Sequence, residues 1–324
     1  MNELNRLKYF YIVLIIFLFI VLTSDIFPNS EEKKEPLYDQ LTRAVVRIEE
    51  HQSICTPGLN WSYERNVPVG TGFFVHDKHN GVSRHFIVTA RHVVDKRADL
   101  FTRVRINSKS NKYVVLLLPR KLWVFNPSRV KRGYLPVDVA AMQIQPTKFI
   151  KTFLFCENDE DCGKNSNNKQ LKNQLSESPN VMDRAIFFGF PGGDVAKESL
   201  EPFARAGVVA YTAFNPDFRI GGKLVPDDSI YYIDSPSFPG NSGGPVLREP
   251  LPFRGGVNLW GLITGGNRVG RDYAIVTRPE KILETIKHAR QVASINEMGW
   301  QKDLPKLPVK CMPDDKDIQD QTPP

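Results

Sequence analysis

The chain has 324 residues, of which 41% are hydrophobic, an ordinary globular composition that can bury one large core or two small ones. A formal net charge of +7 raises nucleic acid as a partner, but Lys and Arg are scattered. No basic helix or interleaving of aromatic with basic residues stands out, so the charge reads as a solvated surface and nucleic acid is set aside.

At the N-terminus, a charged stretch (1–8) with Arg6 and Lys8 precedes YFYIVLIIFLFIVL, Tyr9 to Leu22, an uninterrupted apolar run. That length suits a signal-peptide core and is short for a membrane span; Thr23, Ser24, Ile26 and Phe27 extend it to a marginal one, over 9–27. No clear A-x-A-like cleavage site follows, so signal peptide and signal anchor both stay open. Either way the positive-inside rule puts the body of the protein outside the cytoplasm, in the periplasm or cell envelope, secreted or membrane-anchored. Acidic headgroups are a weaker attraction, since Lys33 and Lys34 are diluted by Glu31, Glu32 and Glu35.

After a linker (28–40), β-rich runs recur: AVVRIE (Ala44 to Glu49), GTGFFV (Gly70 to Val75), HFIVTA (His85 to Ala90), KYVVLLL (Lys112 to Leu118) and VDVAAMQI (Val137 to Ile144). These make one β half, 41–155. His76 and His79 sit in HDKHNG, read as a solvated loop, and His51, His85 and His288 read as structural. The polar stretch 156–182, rich in Asn and Lys, reads as an exposed connector.

A second β half, 183–278, follows: RAIFFGF (Arg184 to Phe190), ARAGVVAYT (Ala204 to Thr212), SIYYID (Ser229 to Asp234), GPVL (Gly244 to Leu247), LWGLITG (Leu259 to Gly265) and YAIVT (Tyr273 to Thr277). Helical periodicity appears only after Pro279, where Ile282, Leu283, Ile286 and Ala289 share a face, giving a helix within 279–298 and a loose tail, 299–324. The four cysteines fit an oxidising compartment. They allow three pairings, of which Cys156 with Cys162 and Cys55 with Cys311 is favoured, against unpaired thiols. Their spacing matches no zinc pattern, and nothing supports Ca²⁺ in ENDED.

Three residues carry candidate chemistry. Ser242 lies in FPGNSGGPV, where Gly240, Gly243 and Gly244 permit tight, positive-φ turns; the segment alone suits a phosphate cradle, a plain turn or a nucleophile. His92 in FIVTARHVV directly follows an apolar strand, as a base or as a packed histidine. Asp138 in LPVDVAAMQI puts a charge among apolar neighbours, which requires a partner unless the position is an exposed edge.

In the order His92, Asp138, Ser242, the four motifs GTGFFV, IVTARHVV, VDVAAMQI and FPGNSGGPV resemble those of trypsin-like serine peptidases, closest to the bacterial Deg-type branch, over roughly Leu41 to Ile286. The resemblance implies an all-β fold of two six-stranded antiparallel barrels with the active site between them. It also implies a triad in which His92 is the base, Asp138 orients it and Ser242 attacks, with the N–H groups of Gly240 and Ser242 forming an oxyanion hole. The resemblance further implies a polypeptide substrate and no cofactor or metal. Asn241 stands where digestive relatives carry an acid, so activation by a freed N-terminus is not expected. The residues after the last helix are too few for the PDZ domain usual in the Deg branch.

GLITGG resembles the strand walling the primary pocket. On that match Ile263 lines the wall, Thr264 supports Asp138, Gly265 and Gly266 pair with extended substrate, and Pro236 takes the pocket floor where Lys- or Arg-selective relatives have an acid. Cleavage after small or medium apolar residues such as Val, Ala or Leu is expected, unless Arg268 or Arg271 reaches the pocket and favours acidic ones. The sequence thus reads as an exported or tethered serine endopeptidase. The alternative is a peptide-binding module that kept the fold and lost turnover.

Overall fold

The computed structural model describes residues 37–55, 62–97, 99–106, 112–128, 132–156, 172–173, 179–192, 200–212, 219–220, 222–225, 229–249, 258–266, 273–293 and 300–301. Two compact units divide the chain, 1–40 and 41–324. The described part of the first is only the opening of helix α1 (Leu37–Ala44). The apolar run Tyr9 to Leu22 lies outside the described residues, as do Cys162, Cys311, Arg268 and Arg271. Among the described residues no helix is long and apolar enough to cross a membrane.

The first half builds a ten-stranded sheet that curls into a half-barrel. Its principal strands are β1 (Val45–Cys55), β2 (Ser62–His79), β3 (Val82–Thr89), β4 (Asp99–Arg105), β5 (Tyr113–Pro119) and β7 (Ala140–Ile144). Along the sheet they run β5-β4-β1-β2-β3-β7. Four short strands, β6 (Val124–Phe125), β8 (Phe153–Cys156), β9 (Lys172–Asn173) and β18 (Trp300–Gln301), widen this set of six to ten. Two of them come from segments whose composition reads as connector and tail: β9 pairs with β8, and Trp300 pairs with Leu116 of β5.

HDKHNG is not a loop over its whole length. β2 continues to His79, and only Asn80 (φ 51°) and Gly81 (φ 73°) turn the hairpin, both in the left-handed region that a tight two-residue turn requires. His76 therefore stands opposite His85 across β2 and β3, with parallel rings 4.4 Å apart. Burial lowers the pKa of both imidazoles, that of His85 to about 4 with His76 beside it contributing.

In the second half, β10 (Arg184–Gly189), β11 (Phe203–Tyr211), β14 (Ile230–Asp234), β17 (Tyr273–Thr277), β16 (Leu259–Gly266) and β15 (Pro245–Arg248) close into a barrel in that order. A small hairpin, β12 (Arg219–Ile220) and β13 (Lys223–Leu224), lies outside it. Period-two alternation sends Ala185, Phe187, Tyr231, Ile233, Ile263, Ala274 and Val276 into one core. Phe188, on the opposite face of β10, packs with the core of the first half, as does Phe190 just beyond the strand.

The predicted C-terminal helix is α3 (Pro279–Val292), with Ile282, Ile286 and Ala289 buried. Arg290 grips the fully buried Asp77 of β2 through Nε (2.7 Å) and Nη2 (2.6 Å), fastening the end of the helix to the first sheet.

Candidate active site

β3 ends at Thr89, and a single turn of helix, α2 (Arg91–Val94), follows. Val93 and Val94 are buried, which turns the intervening face and His92 outward; half of the His92 side chain is exposed. Gly70 of β2 makes room for this turn, because a Cβ there would lie 2.7 Å from the methyls of Val93.

Asp138 does not interrupt a strand as expected. β7 begins at Ala140, and the N–H of Val139 donates to the carbonyl of Val137 at 3.0 Å, a three-residue turn centred on Asp138. The flanking valines are buried while the carboxylate points out to His92. It accepts twice from that residue, from the backbone N–H at 2.9 Å and from Nδ1 at 2.7 Å. Because a carboxylate can only accept, Nδ1 carries the proton and Nε2 is left with its lone pair. Burial works to lower the pKa of His92 and Arg97 adds to that, but the Asp138 charge and hydrogen bond prevail and raise it above 6.5.

The turn around Ser242 is shaped by glycines at close approaches. Gly240 (φ 96°) and Gly243 (φ 86°) are in the left-handed region. A Cβ on Gly243 would sit 2.0 Å from the carbonyl oxygen of Thr71, and one on Gly240 2.2 Å from that of Phe190. Asn241 is buried; its N–H donates to the Phe238 carbonyl (3.0 Å) and its carbonyl accepts from Gly244 (2.9 Å). Gly243 donates to Ile263 at 2.6 Å. Among the described residues the N–H groups of Gly240 and Ser242 donate to nothing, so two donors remain on either side of Asn241 beside a partly exposed Ser242.

Residues expected around a primary pocket divide by position. Pro236 is exposed and Ser237 is buried. Gly266 approaches Ser237 so closely that an added Cβ would be 3.0 Å from the serine Cβ. Gly265 and Gly266 pair with Ile275 and Ala274 of β17, while β15 pairs with β16 no further than Leu262, leaving the glycine edge without a strand partner among the described residues. Ile263 is fully buried in the barrel core, and its backbone anchors Gly243 and Gly244. The Thr264 hydroxyl donates to the Ile275 carbonyl (3.4 Å) and accepts from the Thr277 hydroxyl (3.4 Å), and no described bond joins it to Asp138.

Two threonines of the first half escape sequence reasoning. Thr89 donates its hydroxyl to the Thr71 carbonyl at 2.6 Å, and Thr71 in turn contacts the turn around Ser242 through both its N–H and its hydroxyl. The only sequence signal is a threonine between Gly70 and Gly72, with nothing to indicate a partner some 170 residues away. Among the described residues no three His, Cys, Asp or Glu side chains converge as a metal ion would require.

A family model described as "Trypsin-like peptidase domain" matches residues 70–250. No curated protein matches the chain. Among solved structures the chain is similar to the HtrA-type protease AlgW with a decapeptide, at 13% identity and a TM-score of 0.51, covering 78% of this chain and 66% of that one. This chain therefore spans just under two thirds of that structure. The MamO protease domain from Magnetospirillum magneticum is 17% identical with a TM-score of 0.44, covering 78% of this chain and 98% of that one.

Proposed function

Because the chain belongs to the trypsin-like peptidase family, we propose that it is a serine endopeptidase that hydrolyses polypeptides through an acyl-enzyme. The observation that carries this reading is the double hydrogen bond from His92 to Asp138, which leaves Nε2 as a base on a family scaffold whose glycine turn presents Ser242. Ser242 Oγ attacks the scissile carbonyl while His92 Nε2 takes its proton. The N–H groups of Gly240 and Ser242 receive the oxyanion. Collapse expels the amine with the proton from His92, and water then attacks the ester, giving a proton to His92 that returns to Ser242.

Substrate is proposed to add as a strand along the edge of Gly265 and Gly266, which has no strand partner among the described residues. The decapeptide named with AlgW is in keeping with a polypeptide ligand. Pro236, Ser237 and Gly266 offer no charge, and the Ser237–Gly266 approach leaves little width, which supports small or medium apolar residues before the cut. Residues 9–27 are proposed to export or tether the enzyme, placing it in the cell envelope.

A fluorophosphonate probe should label the wild type at Ser242 and leave Ser242→Ala unlabelled. Equal labelling of both, or none of the wild type, overturns the enzyme; peptide binding without labelling would then favour a binding module. Cuts mostly after Lys, Arg, Asp or Glu in a denatured protein mixture overturn the apolar pocket. Mass spectrometry of the mature N-terminus reads the fate of Tyr9 to Leu22: an intact segment means an anchor, and a start near Asp25 means secretion.

A further inference from the structure

The nucleophile turn belongs to the closed barrel, yet part of what orients it comes from the first sheet. Thr71 of β2 is fully buried and reaches the turn twice: its N–H donates to the Ser242 carbonyl at 2.8 Å, and its hydroxyl donates to the Gly240 carbonyl at 2.6 Å. The same hydroxyl oxygen accepts the Phe190 N–H at 3.0 Å. We propose that Thr71 is a positioning residue for the oxyanion hole, holding the peptide planes around Ser242 so that the N–H groups of Gly240 and Ser242 stay free for the substrate. This rests on the serine peptidase reading.

A trans peptide points its C=O and N–H in opposite directions, so holding a carbonyl also aims the N–H of the next residue. The Pro239 carbonyl accepts from Gly192 at 2.5 Å, which orients the Gly240 N–H. The Asn241 carbonyl accepts from Gly244 at 2.9 Å, which orients the Ser242 N–H. Between these lies the 240–241 plane, whose carbonyl is held from outside the barrel by the Thr71 hydroxyl while the Asn241 N–H donates to Phe238. Gly240 has no Cβ to resist rotation of that plane, and any rotation carries both neighbouring planes with it. The 242–243 plane is held from the same source through the Thr71 N–H.

The hydroxyl is therefore the replaceable part of the device. Thr71→Val keeps the shape and the backbone bond but strands a buried N–H at Phe190 and a half-buried carbonyl at Gly240. Thr71→Ser retains both bonds. No described bond joins Thr71 to His92 or Asp138, so the base should titrate as before.

The test is steady-state hydrolysis of a peptide substrate by the wild type, Thr71→Val, Thr71→Ser and Ser242→Ala, with thermal unfolding of each. Thr71→Val should lower kcat about 10- to 100-fold, less than the roughly 10²–10³ lost when an oxyanion donor is removed outright, with KM nearly unchanged. Affinity for a peptide boronic acid, which mimics the tetrahedral state, should fall by the same factor. The acid limb of the pH profile should not move, and Thr71→Ser should stay within about threefold of wild type. Should Thr71→Val fail to fold, Thr71→Cys offers a weak donor of similar size and should fall between serine and the full loss at unchanged melting temperature. Full activity in Thr71→Val, a loss confined to KM, a loss in Thr71→Ser as large as in valine, or a cysteine variant equal to serine each overturns the proposal. A wild type that neither cleaves peptide nor takes the fluorophosphonate probe overturns the peptidase reading as well, whereas an active wild type with an unaffected Thr71→Val overturns this inference alone.

Discussion

The two halves hold their parts of the site by different physics. In the first, His92 is held by a carboxylate: one charge, two hydrogen bonds, and a ring left half exposed. In the second, Ser242 is held by shape and uncharged hydrogen bonds, on glycines whose missing Cβ atoms admit the carbonyls of Thr71 and Phe190. A site held by charge answers to pH and to isosteric changes of charge. One held by close approach answers to added carbon atoms and not to protons.

The sharpest way to test that contrast is to remove one part from each half. His92→Ala and Ser242→Ala should each reduce kcat on the order of 10⁶-fold, and the double variant little further, because residues acting as one unit are not additive. Hydrolysis by His92→Ala within tenfold of wild type would require another base.

Asp138→Asn tests the charge-held half alone. In triads of this kind the replacement costs about 10⁴ in kcat, because an amide can donate to the imidazole and favour the wrong tautomer. It should also move the acid limb of kcat/KM. With Asp138 present the His92 pKa is raised, so activity rises with pH along a limb centred above 6.5; without it, burial and Arg97 remain, and the limb moves below 6.5. The same shift sets a stability term. A raised folded pKa makes the pair stabilising in full below pH 6.5 and loses that contribution as pH climbs through the folded value. Unfolding midpoints of wild type and Asp138→Asn compared from pH 6 to 9 should converge upward.

Gly243→Ala tests the half held by shape. Its Cβ would overlap the Thr71 carbonyl at 2.0 Å on a residue with φ 86°, so the turn must move. A loss of roughly 3 kcal/mol or more is expected from strain and overlap together, read by denaturant unfolding and independent of pH between 6 and 8. A midpoint unchanged from wild type would mean that the glycine approach is not what holds the turn.

The smallest effect separates the halves by acid. His85, buried against His76, has its pKa lowered to about 4, so the unfolded imidazole binds a proton near pH 6.5 while the folded one resists. The neutral pair's contribution is present above pH 6.5 and lost as pH falls toward 4. His85→Gln should remove part of the acid sensitivity of the melting temperature, a difference of about 2–4 °C between pH 7 and 5. Equal slopes in both proteins would exclude this pair as the source.

Local signals determined much of this protein. Alternating and apolar runs marked eleven strands of the two sheets, the 3.6-residue period marked α3, and three glycines around Ser242 marked an unusual turn, because each of these is written in neighbours along the chain. Pairings between distant segments were decided elsewhere. β4 carries no clear strand signal because Asp99, Arg103 and Arg105 mask its pattern, though Arg103 is paired with buried Glu49. Asp138 looked like a charge inside a strand, and only the turn between Val137 and Val139 shows how two buried valines leave their neighbour facing His92. Ile263 looked like pocket wall, but barrel closure turned its side chain into the core. Thr71 carried only its place between two glycines: its bonds reach carbonyls some 170 residues away, and no local preference encodes a partner that only the packing of the two halves brings within 2.6 Å.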